Sequence, residues 1–93
     1  MSHINIHRKH NLSHEKARES AESIAKYLDD KFSLSYRWEG GSLHFERSGV
    51  SGYIEIEEKD VWVNVRLGFL LLPLRSRFEQ EIHRYMDKLF EEN

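Results

Sequence analysis

Leu34-Ser35-Tyr36-Arg37-Trp38-Glu39-Gly40-Gly41-Ser42-Leu43-His44-Phe45-Glu46 is the stretch on which the fold turns. Apolar and polar residues alternate on both sides of a double glycine, the period of a half-buried strand. Gly40-Gly41 suits a two-residue primed turn, because glycine takes a positive φ without steric cost. With the turn there, Trp38 faces Leu43 and Tyr36 faces Phe45, while Arg37 faces His44 and Ser35 faces Glu46. All the apolar residues then share one side, as a defined register requires.

Downstream, Ser48-Gly49-Val50-Ser51-Gly52 reads as a loop. Alternation resumes with Ile54 and Ile56 against Tyr53, Glu55 and Glu57. Glu58-Lys59-Asp60 turns the chain, and both two-residue choices for that turn keep parity. Val61, Val63, Val65 and Leu67 follow as a largely β-branched apolar face, with Trp62, Asn64 and Arg66 on the other side. Pro73 belongs near the start of a final helix, where proline is tolerated. Leu74, Phe78, Ile82, Tyr85, Met86 and Leu89 form its apolar stripe, with Glu79, Glu81, Arg84, Asp87, Lys88 and Glu91 opposite.

Upstream, His3-Ile4-Asn5-Ile6-His7 alternates as a short strand. Ser13 is placed to cap a helix, with Leu12 before it. From His14 to about Phe32, Ala17, Ala21, Ile24, Ala25, Leu28 and Phe32 fall on one stripe. Its three alanines predict close approach to another layer. The expected architecture is α+β over residues 1–93 as a single domain, in the order β-α-β-β-β-β-α. It is an antiparallel β-meander with two helices packed on one face, a reduced helix-grip-like arrangement by fold-level analogy. Its sheet edges leave pairing into a homodimer open.

The chain has 93 residues, 39% of them hydrophobic and 32% charged, which is a globular rather than a disordered composition. There is no cysteine, so disulfides, thiolate catalysis and zinc–thiolate sites are excluded. The first twenty residues lack the apolar core of a signal peptide, and the Gly68–Leu74 run is far short of the roughly 20 residues that span a bilayer. A cytoplasmic location is therefore the default. A formal net charge of −2 gives no general attraction to nucleic acid.

His3, His7, His10 and His14 crowd the N-terminus, but they straddle a strand, a turn and a helix start with no carboxylate or cysteine at a confirming spacing, so no metal or cofactor is assigned. Phosphate-binding glycine loops and nucleophile elbows are also missing from the sequence. The polar side of the sheet is expected to hold Arg37, His44, Glu46, Tyr53, Glu55, Trp62, Asn64 and Arg66, most simply as a solvated face. Arg37 and Trp62 stand out as candidates for ligand or partner contact, Trp62 because it is out of phase with the valine face unless the N-terminal segment covers it.

The leading functional suspect is Val65 to Arg77. Phe69, Leu70, Leu71, Leu72 and Leu74 surround Pro73, with Arg66, Arg75 and Arg77 at the ends. Exposed, this segment would suit an apolar surface or partner, and the arginines an anionic one. The alternative is that most of it fills the core, and a compromise directs Phe69 or Leu71 outward and Leu70 and Leu74 inward.

Tyr36-Arg37-Trp38-Glu39-Gly40, then Leu43-His44-Phe45-Glu46-Arg47 with Gly49-Val50-Ser51-Gly52, then Val65-Arg66-Leu67-Gly68-Phe69-Leu70 with Pro73-Leu74, resemble the polyhydroxyalkanoic acid system protein family, short bacterial granule-region proteins. The resemblance runs from Ile4 to Leu89. It implies association with polyester storage granules and brings no catalytic residues. The expected function is a non-enzymatic accessory protein contacting an apolar granule surface or a granule protein, through Arg66, Phe69, Leu70, Leu71, Leu72, Arg75 and Arg77. A second reading is a carrier of small hydrophobic ligands, with a cavity between sheet and C-terminal helix lined by Trp38, Phe45, Val63, Phe78 and Ile82. A third is an enzyme on hydroxyacyl substrates using His44 with Glu46 or Arg37.

Overall fold

The hairpin register is the one parity dictates. A computed structural model, describing residues 2–90, pairs strand β2 (Ser35–Glu39) with β3 (Ser42–Arg47) through Trp38↔Leu43, Tyr36↔Phe45, Arg37↔His44 and Ser35↔Glu46. Of the two turn glycines only Gly40 has a positive φ, 62°, the pattern of a II′ rather than a I′ turn.

β4 (Val50–Ile56) and β5 (Asp60–Leu67) continue the meander, and β1 (Ser2–Lys9) closes it against β5. The sheet is antiparallel throughout, in the order β1-β5-β4-β3-β2, so β1 and β2 are its edges. The expected loop at 48–52 is mostly strand. Only Ser48-Gly49 turns, and Val50, Ser51 and Gly52 pair with both neighbouring strands. The glycine that suggested a loop is a packing site. A Cβ at Gly52 would lie 2.7 Å from the Phe45 ring and 2.3 Å from the Asn64 carbonyl oxygen, so Phe45 occupies the space a side chain would fill.

Helix α1 (His14–Phe32) starts at Ser13, whose hydroxyl accepts from the Lys16 N–H at 3.2 Å. Its buried residues are the six of the predicted stripe. It ends at Ser33 in the left-handed conformation (φ 57°, ψ 51°), and Arg47 Nη1 donates to the Phe32 carbonyl at 2.7 Å. That bond satisfies one of the last carbonyls a helix leaves unpaired. Helix α2 (Arg75–Leu89) buries Phe78, Ile82 and Met86, while Leu74, Tyr85 and Leu89 pack partly buried on the core. Glu91 lies outside the described residues. Pro73 precedes the helix, inside a 3-10 segment at Phe69–Leu74.

Both helices cover one face of the sheet. α1 lies over β2, β3 and β4, and α2 beside it reaches β1. Between them Phe32 stacks on Phe78 at 3.9 Å, and Tyr27 stacks on Tyr85 at 4.3 Å. The architecture is the α+β meander with two helices that the alternation predicts.

Candidate functional site

Two surface regions remain once the core is placed. The first is the corner after β5. Gly68 donates its N–H to the Gly49 carbonyl at 2.9 Å, which anchors the chain as it leaves the sheet. Leu71 packs inward on the core and reaches Gly49, where a Cβ would stand 2.9 Å from Leu71 Cδ1. With three residues per turn, a 3-10 segment that points Leu71 inward turns its neighbours out. Phe69 is 71% exposed, Leu70 79% and Leu72 40%. Phe69 is outward and Leu74 packs partly buried on the core, as the compromise read from the sequence has them, with Leu71 inward; Leu70 departs from it, outward where inward was expected. Leu71 belongs to the anchor and not to the outer surface. Strand parity does not carry past Gly68, which is why alternation misassigns Leu70.

The arginines are spread around this corner. Arg75 donates to Glu79 at 3.2 Å and to the His3 carbonyl at 3.1 Å, tying the start of α2 to β1. Arg77 is exposed on the first turn of α2, its guanidinium 5.9 Å from the Phe32 ring. Arg66 points to the polar face of the sheet, as parity requires, and lines two adjoining clefts there.

That polar face is the second region. It is a depression rather than a flat surface. One cleft of about 640 Å³ lies at its end, between Ser35, Glu46, Ser51, Arg66 and Gly68. Another of about 400 Å³ continues it between His3, Arg37, His44, Tyr53, Asn64 and Arg66. Glu39 holds Arg37, at 2.7 Å from Nε and 2.6 Å from Nη2, and Glu46 lies 3.9 Å from its Nη1. His44 faces Glu39, with 4.0 Å from Nε2 to Oε1. The hydroxyacyl-enzyme pairing of His44 with Glu46 is thus split, since Glu46 reaches toward Arg37.

Trp62 stands on the same face, away from the clefts. Its ring stacks on His7 of β1 at 4.1 Å, and its Nε1 donates to Glu57 at 3.0 Å. The N-terminal strand covers it, and 38% of it stays exposed. His7 also meets Asp60 at 2.5 Å. His10 is buried. Its Nδ1 accepts from the Leu12 N–H and its Nε2 donates to the Glu57 carbonyl, an arrangement that defines the neutral Nε2–H tautomer. His7 and His10 thus serve separate local contacts.

The residues expected to line a carrier cavity do not converge on one. Phe45, Val63, Phe78 and Ile82 are buried in the continuous core. Trp38 sits at the β2 edge under α1, where Arg18 covers its ring at 3.9 Å and Glu22 accepts from its Nε1 at 2.8 Å.

Where α1 meets α2, Tyr27 donates to Glu81. That bond holds the Glu81 carboxyl below its ordinary range and pushes the Tyr27 phenol up, because it favours an ionised acid beside a protonated phenol.

Fold and surface together define a small sheet-and-two-helix protein that presents an exposed apolar corner beside a polar, cleft face. Residues 4–90 match the family described as "Putative polyhydroxyalkanoic acid system protein", and the chain belongs to that family. No curated protein and no solved structure matches it. Among the described residues no helix is long and apolar enough to cross a membrane.

Proposed function

We propose that this protein is a non-enzymatic accessory protein that seats on the apolar surface of polyester storage granules through Phe69, Leu70 and Leu72. The supporting observation is the exposure of Phe69 and Leu70 next to an inward-anchored Leu71. A domain this small gains stability from each apolar side chain it buries. Leaving two large ones outside a well-filled core fits a surface meant to be covered.

Burying Phe69 and Leu70 against polyester would contribute roughly 1.5–3 kcal/mol each. That supports reversible association, well short of the about 12 kcal/mol of a nanomolar complex. Arg77, exposed on the adjoining turn of α2, would add attraction to any anionic groups at the granule surface. Membership of a polyhydroxyalkanoic acid system family is what selects polyester over other apolar surfaces.

The test is co-sedimentation with protein-free polyester particles. Wild type is expected to pellet, and Phe69→Ser with Leu70→Ser to stay in the supernatant while remaining folded. Leu71→Ser is the wrong probe, because it loosens the anchor itself. Unchanged pelleting of the double variant would refute the assignment. Pelleting with native granules but not with protein-free particles would point to a granule protein as the partner.

A further inference from the structure

Cross-strand register rules the polar face of the sheet into rows. One row runs Asn5, Asn64, Tyr53, His44 and Arg37, one residue from each of the five strands. Its half-buried centre, Asn64, Tyr53 and His44, forms one wall of the cleft of about 400 Å³. The cleft floor is backbone at Gly52, between Phe45 and Val65, whose side chains turn into the core.

The three wall groups are an amide, a phenol and an imidazole, each with a hydrogen-bond donor. Among the described residues neither Asn64 nor Tyr53 spends that donor on another residue. His44 Nε2 stays 4.0 Å from Glu39, beyond hydrogen-bond reach. Arg37, by contrast, is held by Glu39. The centre of the row is thus a ladder of open donors that steps once per strand, about 4.8 Å.

Such a ladder fits a chain of acceptors with the same step, all on one side. Three chain bonds extend over about 3.3–3.6 Å, so four cover roughly 4.4–4.8 Å. An extended chain returns to the same side after an even number of bonds and alternates after an odd number, as successive residues of a strand do. Four bonds per unit is the repeat of a linear ester of a 3-hydroxy acid, whose carbonyls only accept. A peptide or a 2-hydroxy acid ester has three bonds per unit, so it steps short and alternates. A 4-hydroxy acid ester has five, steps long and alternates as well.

We propose that this row binds an extended stretch of 3-hydroxy acid polyester, with successive ester carbonyls accepting from Asn64, Tyr53 and His44. The choice of polyester rests on the function proposed above. The row itself lies on the opposite face of the sheet from the helices and makes no demand on the apolar corner. The larger cleft joins this one to Gly68, at the foot of that corner, so a chain leaving a granule surface there has a path onto the row.

The experiment is an amide NMR titration of the intact protein with the methyl ester of the linear tetramer of 3-hydroxybutyrate, which carries no charge. Saturable shifts are expected at Gly52, at Tyr53 and at the side-chain amide of Asn64, with an affinity unchanged by salt. Methyl 3-hydroxybutyrate, with one carbonyl in place of several, should bind at least tenfold more weakly, and so should the methyl ester of the lactate tetramer. Tyr53→Phe with Asn64→Ala should weaken tetramer binding at least fivefold, since each lost hydrogen bond costs several-fold. Shifts confined to residues 68–72 would overturn the row and leave the apolar corner standing. Shifts on the row, with wild type failing to pellet on polyester particles, would uphold the row and remove the corner. An equal response to the lactate tetramer, scattered or non-saturating shifts, or a folded double variant that binds unchanged would overturn the proposal.

Discussion

The inner face of the sheet and the corner at 69–74 are both dense in large apolar side chains, yet they end in opposite environments. Leu43, Ile54 and Val63 occupy one cross-strand row under the helices and are wholly buried. Phe69 and Leu70, only a few residues beyond β5, face solvent. Composition does not separate the two regions. Phase does: every inner-face residue repeats every second position along a strand or on one helical stripe, whereas Phe69-Leu70-Leu71-Leu72 is an unbroken run with no phase to obey. A run of that kind can be turned either way by one anchor, and here the Gly68–Gly49 bond and Leu71 turn it outward.

The contrast can be broken most forcefully from the inside. Phe45→Ala should cost about 3–5 kcal/mol in urea unfolding, because the ring fills the core and the space above Gly52. A loss below about 1 kcal/mol would mean the inner face is loosely packed and the contrast overstated. Gly52→Ala should cost about 1–3 kcal/mol, since the new methyl meets a backbone carbonyl and the Phe45 ring. Ser13→Ala, away from both regions, should cost about 1 kcal/mol through the lost helix cap.

A smaller effect sits between the helices. The Tyr27–Glu81 bond depresses the Glu81 pKa in the folded state, so its stabilisation is present above the ordinary carboxyl range and fades as pH falls through the lowered value. The Tyr27 pKa is raised, so on the alkaline side the contribution fades as pH rises from the ordinary phenol value through the raised one. Tyr27→Phe should flatten both arms of the stability–pH curve, and identical curves for the two proteins would contradict this. The smallest change belongs to the corner. Phe69→Ser with Leu70→Ser should move stability by no more than about 0.5 kcal/mol per site. A loss near that of Phe45→Ala would place the corner in the core.

What the sequence made legible follows from the same distinction. The hairpin register, the α1 stripe and the burial of the valine face were readable because each is a periodic signal. The start of β4 was hidden because Val50-Ser51-Gly52 has turn composition, and its strand character depends on Phe45 from the neighbouring strand. The 3-10 corner was hidden because the Gly68–Gly49 bond joins residues far apart in the chain. The groove around Arg66 was half legible. Parity placed its side chains together, but concavity depends on the curvature of the sheet, which no local pattern encodes.

The absence of cysteine from the sequence makes the most direct measurement simple, because one introduced thiol can be labelled alone. An environment-sensitive fluorophore on Leu70→Cys is to be compared with the same label on Lys26→Cys, on the exposed face of α1. On adding protein-free polyester particles, the label at 70 should shift to the blue and gain intensity while the label at 26 stays unchanged. Equal shifts at both positions, or a shift at 26 alone, would contradict the seating of the apolar corner on polyester.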